Sequence, residues 1–219
     1  MNRGYHEIKE HGKREFPFNI YPCSIPVDFS HVALHWHEEM EIIAVKKGKG
    51  RITVDTVSYP VEEGDILAVF PGQLHAISCG NGERMEYENI IFRLSMLMGD
   101  NGDGCTVHFL KPLQEGQAKN PVLIQRNQPD HEVFGKVIQE LDRFSEIRGN
   151  GYQLAVKGQL FLFLYYAYGR GILFTEKKPG HAREKIKGIL EYIREHFGEE
   201  IGIRQAGGLC FYSEPHFVK

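Results

Sequence analysis

Residues 34–48 read LHWHEEMEIIAVKKG, and this stretch decides what kind of barrel the chain can build. Alternate residues of a strand face one side, so His35 and His37 point together and Trp36 points away. Glu38 and Glu39 suit a bend that returns Glu41 to the side of the histidines. Ile43 and Val45 share the parity of Glu41 and would form an apolar wall, while Trp36 would pack outside, where an indole can meet a helix. His75 follows one strand and one turn later, after GDILAVFPGQL. Three imidazoles and a carboxylate suit a first-row divalent metal such as zinc, nickel, iron or manganese. The expected site is therefore His35, His37, Glu41 and His75, with Ile43 and Val45 beside it.

Working outward, the signals are β from about residue 29 to 125. MEIIAVKKGKGRITVD reads as strand, Gly-Lys-Gly turn and strand. VSYPVEEGDILAVFPG repeats the pattern around Glu63-Gly64-Asp65, and HAISCGNGERMEYENIIFRL does so around Gly80-Asn81-Gly82. Short strands at roughly ten-residue spacing with such turns predict a sandwich or barrel. Pro60 and Pro71 fit strand ends or edges. GDNGDG, residues 99–104, reads as a loop.

The period changes after Pro129. Val133, Phe134, Val137, Ile138, Leu141 and Phe144 make one helical stripe, with Asp130 placed to cap it. Glycines at 149 and 151 end that helix. YQLAVKGQLFLFLYYAYGRG then predicts a second helix, apolar nearly all round and so buried or packed on a partner. A basic Pro-Gly stretch follows as a linker. Ile186, Ile189, Leu190, Ile193 and Phe197 form another stripe, Ile203 to Leu209 could add a short helix, and Ser213 with Pro215 suits the start of a third.

Bulk properties narrow the classes. The 219 residues carry a formal net charge of −3, so no basic field marks the whole chain as a nucleic-acid binder. No apolar run is long enough to cross a bilayer, and the first residues lack the apolar core of a signal peptide. The four cysteines form no CxxC pair, which predicts reduced thiols and a cytoplasmic protein, with Cys23, Cys79 and Cys105 as small packing residues. The remaining histidines, His6, His11, His31, His108, His131, His181 and His196, show no grouping and read as surface or packing residues.

His35-x-His37-x3-Glu41-x6-Gly48 resembles the first motif of the cupin superfamily, and Gly64, Gly72 and His75 fit the spacing of the second. Phe70 stands where that second motif usually has proline, and Cys79 where it usually has asparagine; neither position is a usual ligand. The C-terminal stretch is similar to the first helix-turn-helix of AraC/XylS-type transcription regulators, most specifically in YSEPHFVK, where Ser213, Glu214 and His216 would face DNA and Phe217 would anchor the core. Phe211 replaces the usual turn glycine, and residues 183–219 balance six Lys/Arg against six Asp/Glu. The resemblance implies an α+β chain: a cupin-type β-barrel (double-stranded β-helix), then helices and an incomplete helix-turn-helix. The divisions are an arm over 1–28, a ligand-binding barrel over 29–128, a helical packing or dimerising segment over 129–170, a linker over 171–183, and the partial helix-turn-helix over 184–219.

The function so implied is ligand-responsive transcription regulation. The barrel would sense a small-molecule effector, with sugars the most frequent class in the family. The protein would be a homodimer with no membrane partner, no catalytic residues and no required cofactor, although the four-residue cluster could hold a divalent metal. Promoter DNA would be the partner of the complete protein, and residues 1–219 alone would bind it weakly or not at all. The alternatives are a metal-dependent cupin oxygenase or isomerase, or a dimerising module without DNA binding.

Overall fold

The computed structural model describes residues 5–7, 9–172, 174, 180–199 and 201–202, with backbone alone over 180–186. Eight strands precede the long helices: β1 Phe18–Ile25, β2 Val32–His35, β3 Met40–Val54, β4 Val57–Glu62, β5 Ile66–Val69, β6 His75–Ser78, β7 Met85–Phe92 and β8 Val122–Ile124. All named pairings are antiparallel. One sheet runs β1-β7-β3-β5-β8; the far half of β3 carries β4 and β6, and β6 in turn carries β2.

β3 is the shared strand. It was expected to break at a Gly-Lys-Gly turn, yet it runs fifteen residues without reversing. Met40 to Gly48 pair with β7, with a register shift between Val45 and Lys47, and Arg51 to Val54 pair with β6. The glycines let the strand bend from one sheet into the other. Gly48 has φ +78°, and a Cβ there would sit 2.1 Å from the Arg84 carbonyl oxygen. The two other glycine turns are turns as expected, but they are corners rather than hairpins: β4 pairs with β3 and not β5, and β6 pairs with β2 and β3 and not β7. Pro60 lies in β4, which pairs only with β3 among the named strands.

Met40 to Val45 are buried without alternation because both faces of the sheet are covered. Ile43 and Val45 join Ile25, Ile52, Val54, Leu67, Val69, Ile77 and Tyr87 inside the barrel. Met40, Ile42 and Ala44 face the other way, into a second core shared with helices. Two α-helices build that core, numbered here after a short α1 at Lys111–Gln114, which follows a π-helical turn over Thr106–Leu110. α2 spans His131–Ile147, as its stripe predicted, and α3 spans Tyr152–Gly169, where the all-round apolar run predicted a second helix. Phe134, Val137, Ile138 and Leu141 of α2 are fully buried; each such side chain contributes about 1.5–3 kcal/mol, well beyond any helix-propensity difference.

Polar ties fix the helices to the barrel. Lys46 Nζ sits 2.7 Å from Glu88 and 2.9 Å from Asp142 of α2. Arg170, just past α3, donates to Asp130, to Gln128 and to the Leu123 carbonyl. Asp130 thus stands at the N-cap of α2 but makes no capping hydrogen bond, because its carboxylate is engaged by Arg170.

Further expectations change. The arm does not extend to residue 28: Phe18–Ile25 is β1, paired with β7 along its whole length. The π-helical turn and α1 had no stripe long enough to announce them. Cys105 is exposed and so is not a packing residue, whereas Cys23 and Cys79 do pack against the barrel core. The last helix among the described residues, α4, spans Gly180–Glu195, starting a few residues before the stripe that predicted it. Residues 203–209 and the predicted DNA-facing Ser213, Glu214 and His216 lie outside the described residues. No helix among the described residues is long and apolar enough to cross a membrane.

Candidate functional site

Three chain segments meet at one end of the barrel. β2 ends at His35, Glu38 and Glu39 form the bend, and β3 begins at Met40. His75 opens β6 and pairs with His35 across the strands. The bend carries His37 back over Glu41, as the parity of this stretch required. The ligand atoms of His35, His37, Glu41 and His75 all lie within 4.8 Å of one another. His37, Glu41 and His75 are buried and His35 is part-exposed, so the cluster has one side toward the rim. The structure therefore brings all four together, and Ile43 and Val45 lie below them in the barrel core.

Hydrogen bonds set the tautomers. The Nδ1–H groups of His35, His37 and His75 donate to the carbonyls of Ala33, Glu39 and Gln73, at 2.9, 3.1 and 3.0 Å. A neutral imidazole has one N–H, so each Nε2 presents a lone pair toward the cluster. Yet Nε2 of His37 and Nε2 of His75 each stand 3.0 Å from the same oxygen, Glu41 Oε2. Lone pair cannot face lone pair at hydrogen-bond distance. Either both rings are imidazolium, which puts several charges in a dry place, or a cation takes the position of the two protons. The donor set thus fits a divalent metal. Tetrahedral ligands at 2.0–2.2 Å from zinc stand about 3.3–3.6 Å apart, so closure draws the most separated ligand atoms together by about an ångström.

The electrostatics follow. Burial pushes His35 down to about 4, with His75 adding to the effect. Burial also lowers His37, but the Glu41 hydrogen bond and charge outweigh it and raise the group overall. Burial would raise Glu41; the positive charge of His75 and hydrogen bonds from both rings hold it well below the usual carboxylate range instead.

A supporting layer escaped the sequence reading. Glu39 is buried and accepts from Arg93 Nε at 2.8 Å. His11 of the arm is buried with its ring 6.1 Å from that of His37; Nδ1 is 3.2 Å from the Tyr21 hydroxyl and Nε2 is unpartnered. Glu7 Oε2 stands 3.6 Å from His35 Nε2. Tyr5 and Glu7 hydrogen-bond the Trp36 backbone, and His6 stacks on the Trp36 indole. Nothing in the polar arm sequence marked these residues, since a lone His or Glu carries no period. Trp36 does lie outside the barrel, as its parity predicted.

The model of the AraC-like ligand binding domain family matches residues 26–164. An uncharacterized HTH-type transcriptional regulator, YdeC, of Bacillus subtilis strain 168 is 27% identical over 88 residues, which are 40% of this chain and 30% of that protein. The chain therefore aligns with less than a third of that relative's length. Among solved structures, a cupin 2 conserved barrel domain protein from Salinispora arenicola is similar at TM-score 0.33 and 22% identity, over 36% of this chain and 66% of that one. ToxT from Vibrio cholerae is similar at TM-score 0.44 and 15% identity, over 94% of this chain and 73% of that one.

Proposed function

This chain belongs to the AraC-like ligand binding domain family, and from that premise we propose that it is the sensor part of a transcription regulator, cytoplasmic, whose barrel end holds a divalent metal and through it a small-molecule effector. The observation that carries the reading is the convergence of the His37 and His75 Nε2 atoms on Glu41 Oε2, with His35 completing a group whose ligand atoms lie within 4.8 Å of one another. His35, His37, Glu41 and His75 would hold the metal, which would supply open coordination positions for an oxygen-rich effector such as a sugar or hydroxy acid. The residues themselves orient and exclude water: the backbone carbonyls hold the rings, and the Glu39–Arg93 pair fixes the bend. The role is sensing rather than catalysis, and promoter DNA is the partner of the complete regulator.

The homodimer is part of this reading. Leu154, Phe161, Leu162 and Tyr165 form an exposed stripe on α3, opposite the face that packs on α2. Gly158 lies within that stripe with nothing near its Cβ position, which lets a second helix approach closely. A second copy of the chain is the occupant that this self-complementary apolar face suits.

Metal content of the purified chain tests the proposal. Wild type is expected to retain a divalent metal through gel filtration, and His75→Ala to lose it together with effector affinity. A His75→Ala protein with unchanged metal content and effector affinity would remove the cluster from the function.

A further inference from the structure

The ring of Trp36 belongs to the segment that carries two of the four candidate ligands, His35 and His37. It stacks on His6 at 4.0 Å and 9°, and Lys187 Nζ of α4 lies 3.3 Å from its centroid. Two such neighbours fit only on opposite faces, so the indole is held between the arm and α4. The second rim loop meets the same helix. A Cβ on Gly72 would lie 3.6 Å from Lys187 Nζ, and the Gly72 N–H donates to the His37 carbonyl at 2.8 Å. The ammonium of Lys187 thus rests on the 35–37 segment and lies beside the turn three residues before His75.

We propose that Trp36 couples occupation of the His/Glu cluster to the docking of α4, with Lys187 as the residue on the helix that responds; this rests on the metal-holding reading of the cluster. Coordination would draw the Nε2 atoms of His35, His37 and His75 together and fix the 35–37 segment. The indole is carried on that same segment. An ordered segment presents its face to Lys187, while a slack one does not, so the occupied cluster favours the docked helix. Linkage makes the effect reciprocal: undocking α4 must weaken the cluster's affinity by the same factor. A cation–π contact of this kind limits the coupling to about two- to thirtyfold.

The sign separates this from plain electrostatics. Lys187 is a cation near a dication site, so loss of its charge should by repulsion alone tighten metal binding; the coupling requires the opposite. Zn2+ affinity of residues 1–219 is measured by competition with a chromophoric chelator for wild type, Lys187→Ala and Lys187→Arg. Trp36 emission is followed in the same titrations, since Trp36 is the chain's one tryptophan. Lys187→Ala is expected to weaken Zn2+ about two- to thirtyfold and to shrink the emission change, and Lys187→Arg to restore both. Unchanged or tighter binding by Lys187→Ala, or a loss that arginine does not restore, overturns the coupling. If wild type takes up no Zn2+, the metal reading fails by itself, and amide exchange of residues 187–195 decides the coupling instead. Faster exchange there in Glu41→Gln than in wild type supports it, and equal exchange overturns it.

Discussion

Glu41 Oε2 stands 3.0 Å from the Nε2 atoms of two imidazoles that have already committed their Nδ1 protons to backbone carbonyls. Glu41→Gln keeps the volume but puts an amide where a carboxylate is required. Metal affinity should fall by more than the roughly 10–100-fold that outer-shell partners contribute, read by chelator competition. In the metal-free protein the same groups set the pH response. His35, lowered to about 4, is neutral when folded and charged when unfolded between that value and 6.5. Stability therefore falls as pH drops through this window, and Glu41, depressed below its ordinary value, adds a further loss at lower pH as the folded carboxylate protonates. His37 works the other way: its stabilisation is full below 6.5 and is lost as pH rises through its raised folded value. Thermal melts taken from pH 6.5 down to 4 should show a Tm that falls with the pH in metal-free wild type and a flatter curve in His35→Gln. Gly48→Ala should cost about 2–4 kcal/mol in denaturant unfolding, since it combines left-handed backbone with a carbonyl in the space of the new methyl.

α3 has one face for its own chain and one without a partner among the described residues. Leu160→Ala, on the fully buried face, should cost about 2–5 kcal/mol of stability. The double change Leu154→Ala and Tyr165→Ala should leave the unfolding midpoint near wild type at low concentration and shift sedimentation toward monomer. Unchanged sedimentation would assign the stripe to something other than a second copy. The helices were legible because six apolar residues of α2 recur at a period that only a helix satisfies. The turns were legible too, from their glycines. Strand partners were not: a Gly-rich corner that passes a strand between sheets has the same composition as a hairpin that reverses it, so β3 was split in two. β1 was missed because FNIYPCSI mixes polar and apolar residues on a strand whose outer face meets a cleft of about 490 Å³ rather than a packed layer. The four-residue cluster was legible because its spacing is itself the signal. His11, Glu39 and Arg93 were not, since they reach the site only through tertiary approach.

Taken as one molecule, the barrel is a rigid holder whose long third strand ties both sheets to a single buried end, and the helices and arm are the parts that touch it. Lys46, His131 and Arg170 pin α2 and α3 to the barrel, so the elements placed to respond to an occupant are the arm and α4. They meet at Trp36. This arrangement makes sense of a sensor only if the buried end holds something. X-ray absorption on the Zn2+- or Ni2+-loaded chain reads the metal's neighbours without reference to any assay. The expected result is a shell of nitrogen and oxygen at about 2.0–2.2 Å with the outer-ring scattering of several imidazoles, lost in His37→Ala. A shell of sulfur, of water alone, or one unchanged by His37→Ala would contradict it.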